Sequence, residues 1–166
     1  MHPVGTTVIS SRYRFSRASR LLKPSEFQAV FDARKATRGQ WLTAHRTEGR
    51  PAVSAETDAL PDVIVSSNPA SRLGLVVAKR LVPTAARRNL IRRVVREYFR
   101  TTREAFPPGD WIIRLHESPF PSATRIRKGA AVPTRLQVVT GLRADLAQIL
   151  KRVAKQIEKD AAGRDA

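Results

Sequence analysis

Between Thr84 and Arg103 the chain carries arginine at 87, 88, 92, 93, 96, 100 and 103 against one acid, Glu97. A solvated helix face normally mixes signs, because opposite charges at i,i+4 stabilise it by about 0.2–0.5 kcal/mol each and like charges oppose it by similar amounts. Here Arg88/Arg92, Arg92/Arg96 and Arg96/Arg100 all repel. A row of guanidiniums of one sign can instead span successive phosphates, each gripping bidentately. Asn89, set among them, offers an amide that both donates and accepts toward a sugar or base edge. The residue types therefore point to a clamp for RNA or DNA, and the spacing alone does not choose between the two polymers.

Such a clamp needs a scaffold. At about 100° per residue, Leu90, Ile91, Val94, Val95, Tyr98 and Phe99 fall on one half of a helix, with Arg88, Arg92, Arg93, Arg96, Arg100 and Arg103 on the other. Arg87 lands near the apolar half. Pro83 and Thr84 stop the preceding β-rich run, Arg72–Arg80, and Thr84 offers an N-cap. Upstream, "LLKPSEFQAVFDARKA" reads as a helix with Pro24 in its first turn, Glu26 near its N-terminus, and Phe27, Val30 and Phe31 on one face. "WLTAHRT", Trp41–Thr47, reads as a strand whose faces are Trp41, Thr43, His45 and Leu42, Ala44, Arg46. "DWIIRLHE" is a third strand after the turn "FPPGD". Residues 118–140 look irregular, and a last helix is expected over about Leu142–Lys159. The order helix, strand, strand, helix, strand, helix predicts an α/β (α+β) sandwich, a small central sheet with helices packed on it.

With 166 residues, one domain with tails is expected: a flexible basic extension over 1–19, a domain over 20–160 with a long loop at 48–71, and a tail at 161–166. Met1–Lys23 holds no acid and could also be read as a mitochondrial-type presequence; nothing in it resembles a secretory signal. A net charge of +17 and a pI near 11.6 favour polyanionic partners. There is no apolar run of membrane-spanning length and no lipidation signal, so a membrane partner is not expected. The absence of cysteine excludes disulfides, thiolate-held zinc and thiol catalysis, and fits a reducing compartment. Arginine outnumbers lysine 24 to 7, which suits phosphate and base recognition and equally fits GC-rich coding sequence. His45 and His116 could imitate a metal-free nuclease pairing a general acid with a general base, but their strands give no assembled geometry. Scattered carboxylates do not suggest a two-metal site. No catalytic residue and no protein-held metal is expected.

"RLGLVVAKRLVPTAARRNLIRRVVREYFR" closely resembles the core signature of the protein subunit of bacterial ribonuclease P. In that signature a strand of the type R-x-G-L-x-V-x-K-K leads into a helix of the type R-N-R-x-K-R-x-x-R-E. Arg88 and Asn89 match the first two helix positions, Arg92 and Arg93 the basic pair, and Arg96 and Glu97 the later pair; Leu90 stands at the third position, where it faces the core and leaves the arginine surface intact. The resemblance extends upstream through "RLLKPSEFQAVF" and downstream to "DWIIRLHE", from Arg20 to about Glu117. Residues 48–72 and those after 117 look longer than the family pattern.

The resemblance implies a left-handed βαβ crossover through the arginine helix, a rare hand. It implies a ribonucleoprotein endonuclease in the cytoplasm that removes the 5′ leader of precursor tRNA, with the RNA subunit holding the magnesium ions and carrying the chemistry. No organic cofactor and no obligate protein partner are implied. Arg87, Arg88, Asn89, Arg92, Arg93, Arg96 and Arg100 would bind the RNA subunit. Phe27, Phe31, Thr43, His45, Lys79 and Arg80 would line a cleft for the single-stranded leader. On the residues alone, Phe27 and Phe31 at i,i+4 read as core anchors; in the cleft they would also offer ring faces, since stacking contributes about 1–3 kcal/mol per base without demanding a sequence. Lys79 and Arg80, if in the strand, would project to opposite faces. The alternative is a ribosomal or RNA-chaperone protein of related fold, distinguished by lacking leader-dependent affinity for precursor tRNA.

Overall fold

The structure, a computed structural model, describes residues 15–48 and 71–163. Its elements run α1 (Pro24–Asp32), β1 (Lys35–Arg38), β2 (Leu42–Arg46), β3 (Arg72–Val76), α2 (Ala85–Thr101), β4 (Asp110–Leu115), α3 (Ala123–Arg127) and α4 (Arg135–Ala162), with 3-10 turns at Arg17–Ser19 and Arg103–Ala105. The strands form one sheet in the order β1-β2-β4-β3. β1, β2 and β4 are antiparallel neighbours, while β3 and β4 run parallel. Parallel neighbours need a crossover, and α2 supplies it, so the arginine helix is the middle of a βαβ unit.

Strand alternation decides what each face of the sheet carries. Leu42 and Ala44 of β2, Leu73 of β3, and Trp111, Ile113 and Leu115 of β4 are buried against Ile91, Val94, Val95 and Phe99 of α2 and Leu142, Leu146, Ile149 and Val153 of α4. Leu90 and Tyr98 pack partly buried against this core. The opposite face carries a smaller cluster, Leu21, Val30 and Ile112, under α1. The result is a three-layer sandwich of α1, the sheet, and α2 with α4.

The first helix is shorter than its sequence suggests. It stops at Asp32, Arg34 takes φ 54°, and Lys35–Arg38 pairs with β2 as an edge strand instead of continuing the helix. Four residues are too few to show a period, and their ladder partner, not their own propensity, makes them a strand. The irregular reading of 118–140 also gives way. Ser122 caps α3, and Thr134 and Gln137 exchange hydrogen bonds in a capping box that starts α4 seven residues ahead of Leu142. Gly141 hid that start, since it interrupts the pattern; a Cβ there would lie 2.6 Å from the Trp41 ring, so the glycine lets helix and hairpin touch. At the N-terminal side, Phe15 already belongs to the packed body, its ring edge-on to Phe99 at 6.0 Å, and Ser19 is buried. Most of the expected 48–71 loop, and residues 1–14 of the N-terminal extension, lie outside the described residues.

Candidate nucleic-acid interface

The placement of α1 is fixed from its first turn. Glu26 accepts from the backbone N–H groups of Leu22 and Lys23 at 2.7 and 2.9 Å. Its other oxygen meets Arg72 of β3 at 2.6 Å, and the same guanidinium forks onto Asp110 of β4 at 2.8 and 2.6 Å. One arginine thus ties the helix to two strands through three charge-assisted hydrogen bonds to two carboxylates, the geometry its planar fork favours. Burial pushes the Glu26 carboxyl up, but the two N–H groups and Arg72 together outweigh it and hold it below its ordinary value.

From that anchor the two phenylalanines take different seats. Phe27 lies over Gly74, where any Cβ would come within 2.8 Å of its ring. Phe31, one turn on, meets His45 edge-to-face with centroids 4.9 Å apart. Both rings are only partly buried. His45 is held below its ordinary value, first by burial and then by Arg114. The registers align Ala36, His45, Ile112 and Gly74 in one row and Arg38, Thr43, Arg114 and Val76 in the next, on the face that bears α1. The second row is more open: Arg38 and Arg114 are exposed, Thr43 and Val76 half-buried.

On the other side of the sheet α2 turns its cations outward, unequally. Asn89, Arg93 and Arg96 are exposed, and Arg92 is half-buried with one N–H toward Asn89 Oδ1 at 3.4 Å. Arg88 folds back to donate to the carbonyls of Val82 and Pro83, which closes the loop ahead of the helix. Arg87 stacks on Phe120, 4.6 Å from the ring centroid, so its position near the apolar half has a partner. Arg100 grips Glu97, with Nε 3.1 Å from the carboxylate. The face most ready for a polyanion is therefore Asn89, Arg92, Arg93 and Arg96. Arg20 joins it: paired with Leu73 across a parallel bridge, it projects to the α2 side and sits over the Phe15 ring at 4.9 Å. Arg96 has its pKa lowered by burial and then by Arg20 and Arg92, the mark of like charges converging.

Lys79 and Arg80 are exposed in the turn that follows β3, which ends at Val76. Strand parity therefore does not apply to them, and both are open to solvent. His45 and His116 are not assembled as an acid–base pair: His45 meets Phe31, while His116 is bonded to Thr43 and Arg38. Among the described residues no group of three His, Asp or Glu side chains could hold a metal ion, and no helix is long and apolar enough to cross a membrane. Sequence reading passed over Arg114, although its charge breaks the apolar run of β4 and alternation alone puts it on the face of His45 and Ile112. Arg20 and Arg38 carried no comparable signal.

A family model described as Ribonuclease P matches residues 15–137. The chain belongs to this family. The ribonuclease P protein component of Bordetella avium (strain 197N) is 40% identical over 113 residues, 68% of this chain and 82% of that protein. That of Paraburkholderia xenovorans (strain LB400) is 35% identical over 147 residues, 87% of each chain. The solved RNase P protein of Staphylococcus aureus superposes with a TM-score of 0.56 at 20% identity, covering 82% of this chain and 96% of that one, which supports the α+β fold. The ribonuclease P match runs past β4 through α3 into the first residues of α4, farther than the motif resemblance up to Glu117.

Proposed function

We propose that this ribonuclease P protein component, a part of the tRNA-processing machinery, binds the RNA subunit through Asn89, Arg92, Arg93 and Arg96 of α2 and holds the single-stranded 5′ leader of precursor tRNA along the α1 face. The RNA carries the hydrolysis and most of the magnesium. The buried carboxylates fit that division: Asp110 is committed to Arg72, which also holds the half-buried Glu26, and Asp145 accepts three backbone N–H groups. The complex works in the cytoplasm, on RNA alone, without an organic cofactor.

The observation that carries this reading is the seating of Phe27 and Phe31. Two partly buried rings lie over the sheet beside His45, on the side away from the arginine helix, so one molecule has an aromatic surface for unpaired bases and a cationic one for a folded RNA. Reconstitution with a bacterial ribonuclease P RNA at low magnesium tests it. Leader removal should require the protein, and affinity for precursor tRNA should rise with leader length and lose that dependence in Phe31→Ala. Arg92→Ala and Arg96→Ala should each lower the salt slope of RNA-subunit binding by about 0.7–0.9 per lost contact. Leader removal by the purified protein without RNA would overturn the assignment of the chemistry.

A further inference from the structure

The open row of the sheet beyond α1 contains more organisation than a solvated surface needs. Arg38 donates its Nε–H to His116 Nε2 at 3.1 Å. That nitrogen must therefore be the acceptor, which leaves Nδ1 to carry the proton and donate to Thr43 Oγ1, 2.9 Å away. The ring is fixed at a third point, because the His116 backbone N–H donates to the Trp41 carbonyl at 3.0 Å. The Arg38 main chain is held as well, its carbonyl accepting from Arg152 at 2.6 Å. β1, β2, the end of β4 and α4 thus meet around Arg38 and the half-buried His116, and the Arg38 side chain itself is exposed.

Long arginine side chains on an edge strand normally keep their rotamer freedom, and restraining one costs conformational entropy. Here the restraint uses only Nε, so both terminal amino groups of Arg38 are without a partner among the described residues. Thr43 stands between Arg38 and Arg114 in the cross-strand row, and the Arg114 side chain makes no hydrogen bond or ion pair among the described residues. Two exposed guanidiniums flank a hydroxyl with no acid in the row. The row lies two residues along the strands from His45, about 7 Å from the place where Phe31 meets it. His116 itself is kept below its ordinary value, by burial first and then by Arg38, against the opposing pull of Asp145, the Gln40 backbone and Glu117. A neutral ring suits an acceptor for Arg38.

We infer that Arg38 and Arg114 form a phosphate seat for the RNA strand next to the base stacked at Phe31 and His45, and that His116 is a positioning residue that aims Arg38 into it. The inference rests on the leader-binding reading above and specifies where the strand leaves the aromatic surface: across β2 and β4, past the end of α1, on the side away from Arg72.

The test uses the full chain reconstituted with ribonuclease P RNA and precursor tRNAs whose leaders grow one nucleotide at a time. Arg38→Ala and Arg114→Ala should each weaken binding of long-leader precursor about tenfold and leave leaderless tRNA unaffected. His116→Ala should lose about threefold in the native background and nothing further in Arg38→Ala, while His116→Gln, whose amide oxygen can accept from Arg38, should recover part of the loss. Equal losses for leaderless tRNA, or independent and additive effects of His116 and Arg38, would overturn the seat. If Phe31→Ala abolishes leader dependence while Arg38→Ala and Arg114→Ala leave long-leader affinity unchanged, the seat alone fails; if Phe31→Ala also leaves leader dependence intact, the underlying cleft reading fails with it.

Discussion

The two faces of the sheet are built on different principles. Toward α2 and α4 the sheet presents Leu42, Leu73, Trp111, Ile113 and Leu115, all at 2% exposure or less, and the helices close over them completely. Toward α1, among the described residues, only Leu21, Val30 and Ile112 form a buried apolar cluster, and the helix is held largely by the Arg72 fork and by the fit of Phe27 on Gly74. Hydrophobic stabilisation scales with apolar area removed from water, so the first face carries most of the stability. The second is under-filled, and its polar anchors set the height and direction of α1 with few contacts. Most of the stability thus rests on the α2 and α4 side of the sheet and the proposed leader surface on the other, so substitutions on the two sheet faces should behave as separable classes.

The largest expected effect tests the closed face. Trp111→Ala should cost about 3–5 kcal/mol in urea unfolding, with the RNA affinity of the remaining folded molecules unchanged. Asp145→Ala comes next. This buried α4 carboxylate accepts from Gln40, Trp41 and Leu42 N–H groups at 2.6, 2.9 and 2.9 Å, and stranding those donors should cost about 3 kcal/mol and loosen the β1–β2 hairpin in hydrogen exchange. Gly74→Ala probes the open face: the new methyl would press on Phe27, costing about 1–2 kcal/mol while changing precursor affinity by more than its effect on stability accounts for. An affinity that tracked stability alone would erase the distinction between the faces.

The smallest expected effect is the response to acid. His45 and His116 have lowered folded pKa values, so their contribution is complete above the unfolded value near 6.5 and is lost as pH falls toward the folded ones. Glu26 follows the same sign lower down, stabilising above its unfolded value of about 4.3 and failing as pH drops through its depressed folded value. Thermal melts from neutral pH to pH 4 should show a shallow decline, reduced in His45→Phe, with the Phe31 environment perturbed before Trp111 fluorescence changes.

The arginine helix was legible because seventeen residues repeat one period and carry six arginines against the single acid Glu97. The motif around Arg88 and Asn89 then supplied the family, and Phe27, Phe31 and His45 came with it. Other parts depended on partners far away in the chain. β1 exists because β2 offers its ladder, and α4 continues through Gly141 because Trp41 needs the space. The Arg38–His116–Thr43 chain joins residues 78 and 73 positions apart, a relation that no local pattern encodes. Arg114 was within reach of simple alternation and was obscured by its apolar neighbours.

The two edges of the sheet bear on how the protein fares before it meets RNA. An unpaired strand edge is a template for another chain, and a sheet of four strands has two such edges. On β3, the N–H of Leu21 already occupies the Leu73 carbonyl and brings Arg20 to the rim. On β1, four residues include Lys35 and Arg38, and Arg152 takes the Arg38 carbonyl. Both borders are therefore short, partly occupied and cationic, so copies of the chain repel one another along the lines where sheets would otherwise join.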